Sequence, residues 1–149
     1  MTKTAYLVII YLSFLFTQEF VVQPYLQSAT QSSIYILWET DSGSQSRVEW
    51  GSWPTLGEVT IGTAITSYGS YKIHTVKLTG LYTSSRYYYR VVTGNLTSDI
   101  YDFIIPPDPI SESSFKIVAM SDMQRDNSNP SKFEEIVHDG ILTYLADNY

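Results

Sequence analysis

Cysteine is absent from the 149 residues, which excludes a disulfide framework, a thiolate nucleophile and a Cys-ligated zinc site. Any metal must then be held by Asp, Glu, His or Asn. Basic residues are scarce too. Nine Lys and Arg against 15 Asp and Glu give a net charge of −6, and the basic residues stand singly along the chain. No basic stripe exists for a phosphate backbone, so nucleic acid is not an expected partner. Long apolar runs are also missing. The longest, Ala5 to Phe16, is interrupted by Ser13 and falls short of the ~20 residues that span a bilayer. Preceded by Lys3 and followed by polar Thr17 and Gln18, it has the anatomy of a signal peptide cut near Thr17 to Glu19. The expected location is therefore outside the cytoplasm, whether secreted, periplasmic or at the cell surface, with no stable membrane span. With 44% hydrophobic and 16% charged residues, the remainder is ordinary globular composition with room for one full domain.

From Val21 onward, short β-type runs alternate with Ser, Gly, Thr and Pro clusters, the rhythm of a sandwich. Val21 to Leu26 is the first expected strand. In Ser33 to Glu39, period-two alternation puts Ile34, Ile36 and Trp38 on one inward face, with Trp38 as the central plug. Arg47 to Trp50 is the next strand. The stretch from Gly51 to Ser70, with Pro54 and four glycines, gives no defined boundary. The pattern sharpens again at Lys72 to Leu78 and at Tyr87 to Val92, where Tyr87, Tyr89 and Val91 point inward and Tyr88 and Arg90 outward. Gly94-Asn95 is a tight-turn pair, and Ile100 to Ile105 closes the module. Pro106-Pro107-Asp108-Pro109 cannot pair in a sheet and stiffens the exit.

Beyond that linker the pattern changes. Phe115 to Met120 is a continuous apolar run ending on Ser121 and Asp122, which predicts a buried strand presenting a carboxylate at its C-terminal tip, where ligands of open α/β sheets collect. After a polar loop, Phe133, Ile136, Val137, Ile141 and Leu145 recur at helix spacing, with Ser131 and Glu134 as a capping box and Gly140 as a weak point.

Leu81 followed six residues later by Tyr87 resembles the tyrosine corner of immunoglobulin-like and fibronectin type III domains. The wider order of parts is more specific. Pro24-Tyr25-Leu26-Gln27, the Trp38 strand, His74 to Leu81, the proline linker and Phe115 to Asp122 together resemble the start of a purple acid phosphatase or a related calcineurin-like metallophosphoesterase. The resemblance implies a mostly β chain: a signal peptide at 1–19, a fibronectin III/Ig-like β-sandwich at 20–107, and the truncated start of an α/β catalytic domain at 108–149. It also implies that Asp122 ligates one metal of a dinuclear Fe, Zn or Mn centre that hydrolyses phosphate esters. Two departures stand out. Gln124 occupies the place two residues after Asp122 where the family carries His or Gly, and no Gly-Asp, Gly-Asn-His or Gly-His-x-His occurs in the chain. The expected product is thus an N-terminal portion that is inactive alone, its metal pair completed by residues outside this chain.

The other polar candidates have plainer readings. Asp126 is expected to be solvated or a turn former, His74 a packed or exposed strand residue, and His138, beside Asp139, a solvated residue on the polar flank of the helix. The rival function is a cell-surface fibronectin III-like module that binds a glycan or protein without catalysis.

Overall fold

The structure, a computed structural model, describes residues 17–114, 118–119 and 127–148. It divides into two compact units, Met1–Glu112 and Ser113–Tyr149. The first is a β-sandwich. Its strands among the described residues are β1 (Phe20–Gln27), β2 (Ser33–Thr40), β3 (Arg47–Gly51), β4 (Glu58–Ile61), β5 (Thr63–Thr66), β6 (Lys72–Thr79), β7 (Arg86–Thr93), β8 (Leu96–Thr97) and β9 (Tyr101–Ile104). One antiparallel sheet runs β1-β2-β6-β5. The other runs β4-β3-β7, with β8 and β9 both pairing to β7.

The alternating residues form the core as expected. Ile34, Ile36 and Trp38 of β2 face Val48 of β3 and Tyr87, Tyr89 and Val91 of β7, and Val76, Leu78, Phe103 and Ile105 complete the cluster. The outer face of the second sheet is tied by charge. Glu49 lies opposite Arg90 in the β3–β7 register and accepts from its Nε at 2.6 Å, with Arg47 3.1 Å away on the same carboxylate. Pro24 interrupts β1 where the register to β2 shifts between Val22 and Tyr25. The edge position of β1 accommodates this, since one face of its ladder has no partner to lose.

The stretch without a readable pattern, 51–70, holds β4 and β5. They belong to different sheets, and the chain crosses between them at Gly62 alone. There the Gly62 N–H donates to the Ser46 carbonyl at 2.8 Å. A Cβ at Gly62 would overlap the Thr75 carbonyl oxygen, which is backbone and cannot move aside. A sheet switch within one residue needs that missing side chain.

The expected tie at Tyr87 is present. Its hydroxyl accepts from the Tyr82 N–H at 3.1 Å, and its ring packs on Trp50 and Phe103 with centroids 5.8 Å apart in both cases. Tyr87→Phe keeps the ring and orphans the Tyr82 N–H. The variant should lose about 1 kcal/mol in urea unfolding; an unchanged midpoint would show that the tie contributes nothing.

In the second unit, the described residues of the expected Phe115 to Met120 strand are Val118 and Ala119. Neither is in a strand, and Val118 is 51% exposed. This corrects the expectation of a buried strand at those two positions. An apolar run becomes a strand only when neighbouring strands take up its N–H and C=O groups, and no strand among the described residues follows β9 to do so. The helix is present but not uniform. α1 (Lys132–Glu135) passes into a π-helical stretch, Ile136–Leu142, and then α2 (Thr143–Asn148). The wider π turn holds Gly140 and breaks the 3.6-residue spacing. It buries none of its own side chains, and Ile136 is exposed. At the start of α1 the Ser131 hydroxyl donates to Asn129 Oδ1 at 3.4 Å.

Candidate functional site

Asp122, the expected metal ligand, lies outside the described residues, as do Gln124 and Asp126. Among the described residues, no three His, Asp or Glu side chains cluster closely enough to hold a metal ion. His138 is exposed as expected. With Ser131, Glu134, Glu135 and Asp139 it lines an open hollow on the helix, where Glu135 is already engaged by Lys132 at 3.1 Å. The described residues therefore do not make up a metal site by themselves, and no catalytic step follows from them.

His74 is packed, as one of its two expected readings had it, but its setting is unusual. It is fully buried and stacks on Trp38 with centroids 4.8 Å apart and planes 6° from parallel. Thr40 Oγ1 donates its only hydrogen to the Ser42 carbonyl at 2.7 Å, so it must accept from His74 Nε2 at 2.8 Å. His74 Nδ1 is then the acceptor, taking the Ser46 hydroxyl at 2.8 Å. Burial, and then the nearby Lys72 ammonium, push the imidazole down to about 4. His74 is neutral near pH 7 and sealed from solvent, and its two hydrogen bonds tie β6 to Thr40 of the neighbouring β2 and to Ser46 just before β3.

One accessible feature among the described residues of the sandwich is a groove between the β3–β4 and β6–β7 loops. Trp50, Gly51, Leu56, Gly80 and Tyr87 line it with Trp53, Tyr82, Ser52, Gly57 and Glu58, and its volume is about 400 Å³. The loop on one side is built by a turn in which Leu56 N–H donates to the Trp53 carbonyl at 2.9 Å. Leu56 sits at φ +58°, a left-handed conformation uncommon for a branched residue. Gly51 permits the fold-back, since a Cβ there would come 3.0 Å from the Leu56 carbonyl carbon. On the other side, Gly80 at φ +74° turns the chain so that Tyr82 projects. Trp53 and Tyr82 are 74% and 75% exposed. Below them Trp50 is fixed by a 2.9 Å hydrogen bond from its Nε1 to Thr60 Oγ1, and Tyr87 by the Tyr82 N–H. Sequence reasoning passed over this groove. The available signal was Trp53-Pro54 between glycines in a stretch with no strand pattern.

The model of the purple acid phosphatase N-terminal domain matches residues 21–104, more than half the chain and nearly the whole span from β1 to β9. The chain belongs to the purple acid phosphatase N-terminal domain family. The purple acid phosphatase family generally uses a dinuclear metal centre. No curated protein matches the sequence. Among solved structures, the chain is similar to the sensor domain of the anti-sigma factor RsgI4 of Pseudobacteroides cellulosolvens in a long form, at 16% identity and a TM-score of 0.48, covering 68% of this chain and 100% of that one. The short form gives 14% and 0.46 over 60% and 95%, and the solution structure 13% and 0.46 over 72% and 94%. No helix among the described residues is long and apolar enough to cross a membrane.

Proposed function

We propose that this chain is the N-terminal portion of an exported, metal-dependent phosphatase that hydrolyses phosphate monoesters. The carrying observation is the family match over residues 21–104. The sequence beyond the proline linker supports it, because Phe115 to Asp122 places a hard carboxylate after an apolar run, a donor suited to Fe, Zn or Mn. Asp122 is the proposed ligand, and the Ala5 to Phe16 run is the proposed export signal. His74, the one histidine of the sandwich, is buried and held by Thr40 and Ser46, and is not among the proposed catalytic or metal-binding groups.

The test is hydrolysis of an aryl phosphate, with metal analysis, on the 149-residue product and on any longer product of the same locus. Activity with about two metals per chain is expected only in a longer form. There, Asp122→Asn should lose metal and rate together. A longer form that neither hydrolyses the ester nor retains metal sinks the proposal. The second reading, a binding module, is favoured by the aromatic groove.

A further inference from the structure

We infer that the groove between the β3–β4 and β6–β7 loops is a carbohydrate site that takes a neutral pyranose unit of a glycan chain. The inference stands on the sandwich alone and holds whether or not the chain belongs to an active phosphatase.

The chemistry of the lining selects the ligand. Trp53 and Tyr82 leave three-quarters of their surface in water, on two separate loops that flank one hollow. Single exposed aromatics are common, but two beside a concavity floored by two more aromatic rings form a recognition surface. Such a surface needs a ligand that is apolar on a flat face and polar at its edge. A pyranose ring meets this, because its axial C–H bonds pack on an aromatic face while its equatorial hydroxyls point sideways.

The edge of the groove supplies partners for those hydroxyls. Glu58 and Ser52 line it, both exposed, and a carboxylate accepts hydrogen bonds from hydroxyl groups strongly. Among the described residues no Lys, Arg or His lines the groove, and the chain carries −6 net charge, so phosphorylated or carboxylated ligands are disfavoured. The volume, about 400 Å³, lies toward the lower end of the ~300–1,000 Å³ typical of small-molecule sites. It suits a compact ring better than an extended peptide.

The walls are also held in advance. The Trp50 indole is fixed on Thr60, the Tyr82 backbone is fixed on Tyr87, and Gly51 lets the Trp53 loop fold back on itself. A ligand would meet a formed site and so avoid most of the ordering cost of binding. The left-handed Leu56 inside the same loop is the kind of local strain that concentrates at ligand-binding positions.

The experiment titrates the whole chain with cellohexaose, chitohexaose and maltohexaose, following tryptophan fluorescence and heat. At least one sugar should bind, with an affinity little changed by added salt. Trp53→Ala and Tyr82→Ala should each weaken it at least tenfold. Both side chains are largely exposed, so circular dichroism and the melting temperature should stay as in the parent, separating loss of binding from loss of fold. Glu58→Gln, which keeps the shape and removes the charge, should weaken binding more modestly. The inference is overturned if none of the three sugars binds, or if the Trp53 and Tyr82 variants bind as well as the parent. It is equally overturned if only tetramethylammonium or a proline-rich peptide binds, since those outcomes would make the groove a cation cage or a peptide dock. Phosphatase activity plays no part in any of these readouts.

Discussion

Replacing Trp38 by Ala is expected to lower the unfolding free energy of the sandwich by about 4 kcal/mol. The side chain is the largest among those with no exposed surface. It sits on β2, an inner strand of its sheet, and reaches across the core to β7, where its Nε1 donates to Thr93 Oγ1 at 2.9 Å. Three losses act together. The indole leaves a cavity that the surrounding strands cannot close, because their positions are set by ladders on both sides. The Thr93 hydroxyl, itself fully buried, loses its partner. The His74 ring loses the face it stacks on. Small domains are stable by only ~5–15 kcal/mol, so the substitution removes much of the margin. Trp38→Phe is the informative companion, since it restores most of the volume and a flat face but no donor. It should cost about 2 kcal/mol, and a cycle with Thr93→Val should show strong coupling for the indole N–H. Urea unfolding followed by circular dichroism measures all of these. A loss below about 1 kcal/mol for Trp38→Ala would mean that the core collapses around the gap and that Trp38 is not its centre.

That Trp38 could be named from sequence alone reflects how strand physics writes itself into a chain. Along β2 every second side chain faces the core, so Ile34, Ile36 and Trp38 announce both the strand and its buried face. Tyr87 was legible for a similar reason, since the Leu81–Tyr87 spacing carries the corner and its hydrogen bond to Tyr82. The region from Gly51 to Ser70 was not legible. β4 and β5 are four residues each, they lie at sheet edges, and they change sheets at Gly62, so alternation has no length over which to show. Their apolar residues Val59, Ile61 and Ile65 are largely exposed, which inverts the usual signal. The groove stayed hidden because its parts come from two loops about 30 residues apart that only the closed sandwich brings together. The helix misled in a different way. Its apolar spacing pointed to an α-helix, but hydrogen bonding widens to a π turn around Gly140, a local choice that composition does not reveal. For His74 the sequence left open whether the residue is packed or exposed, and β6 buries it with Val76 and Leu78. Its partners Thr40 and Ser46 come from residues 34 and 28 positions away, and no local pattern encodes such pairings.

The same network makes the sandwich sensitive to acid. In the unfolded chain His74 titrates near the ordinary value of 6.5, whereas in the folded chain burial and Lys72 lower it to about 4. The unfolded state therefore takes up a proton that the folded state resists, and between these two values stability must fall as the pH falls. The contribution of neutral His74 is fully present above pH 6.5 and is lost progressively down to about pH 4. Over that window the shift corresponds to about 3 kcal/mol. The geometry shows why the charged form is resisted. Nδ1 accepts the Ser46 hydroxyl, so protonation forces that hydroxyl to turn round and accept instead, at a ring with no exposed surface. Trp38 covers one face of the ring, and stacking on its π cloud offsets only part of the desolvation. His74→Gln separates this effect from the general acid response of the carboxylates. The variant should be less stable than the parent at pH 7, where it lacks the stack and has poorer partners for Thr40 and Ser46. Its stability should nevertheless decline less steeply between pH 6.5 and 4, so the two curves converge toward acid. Urea midpoints measured at half-unit pH steps would show this. Parallel curves would mean that His74 takes up its proton without resistance and that the network tolerates the charge.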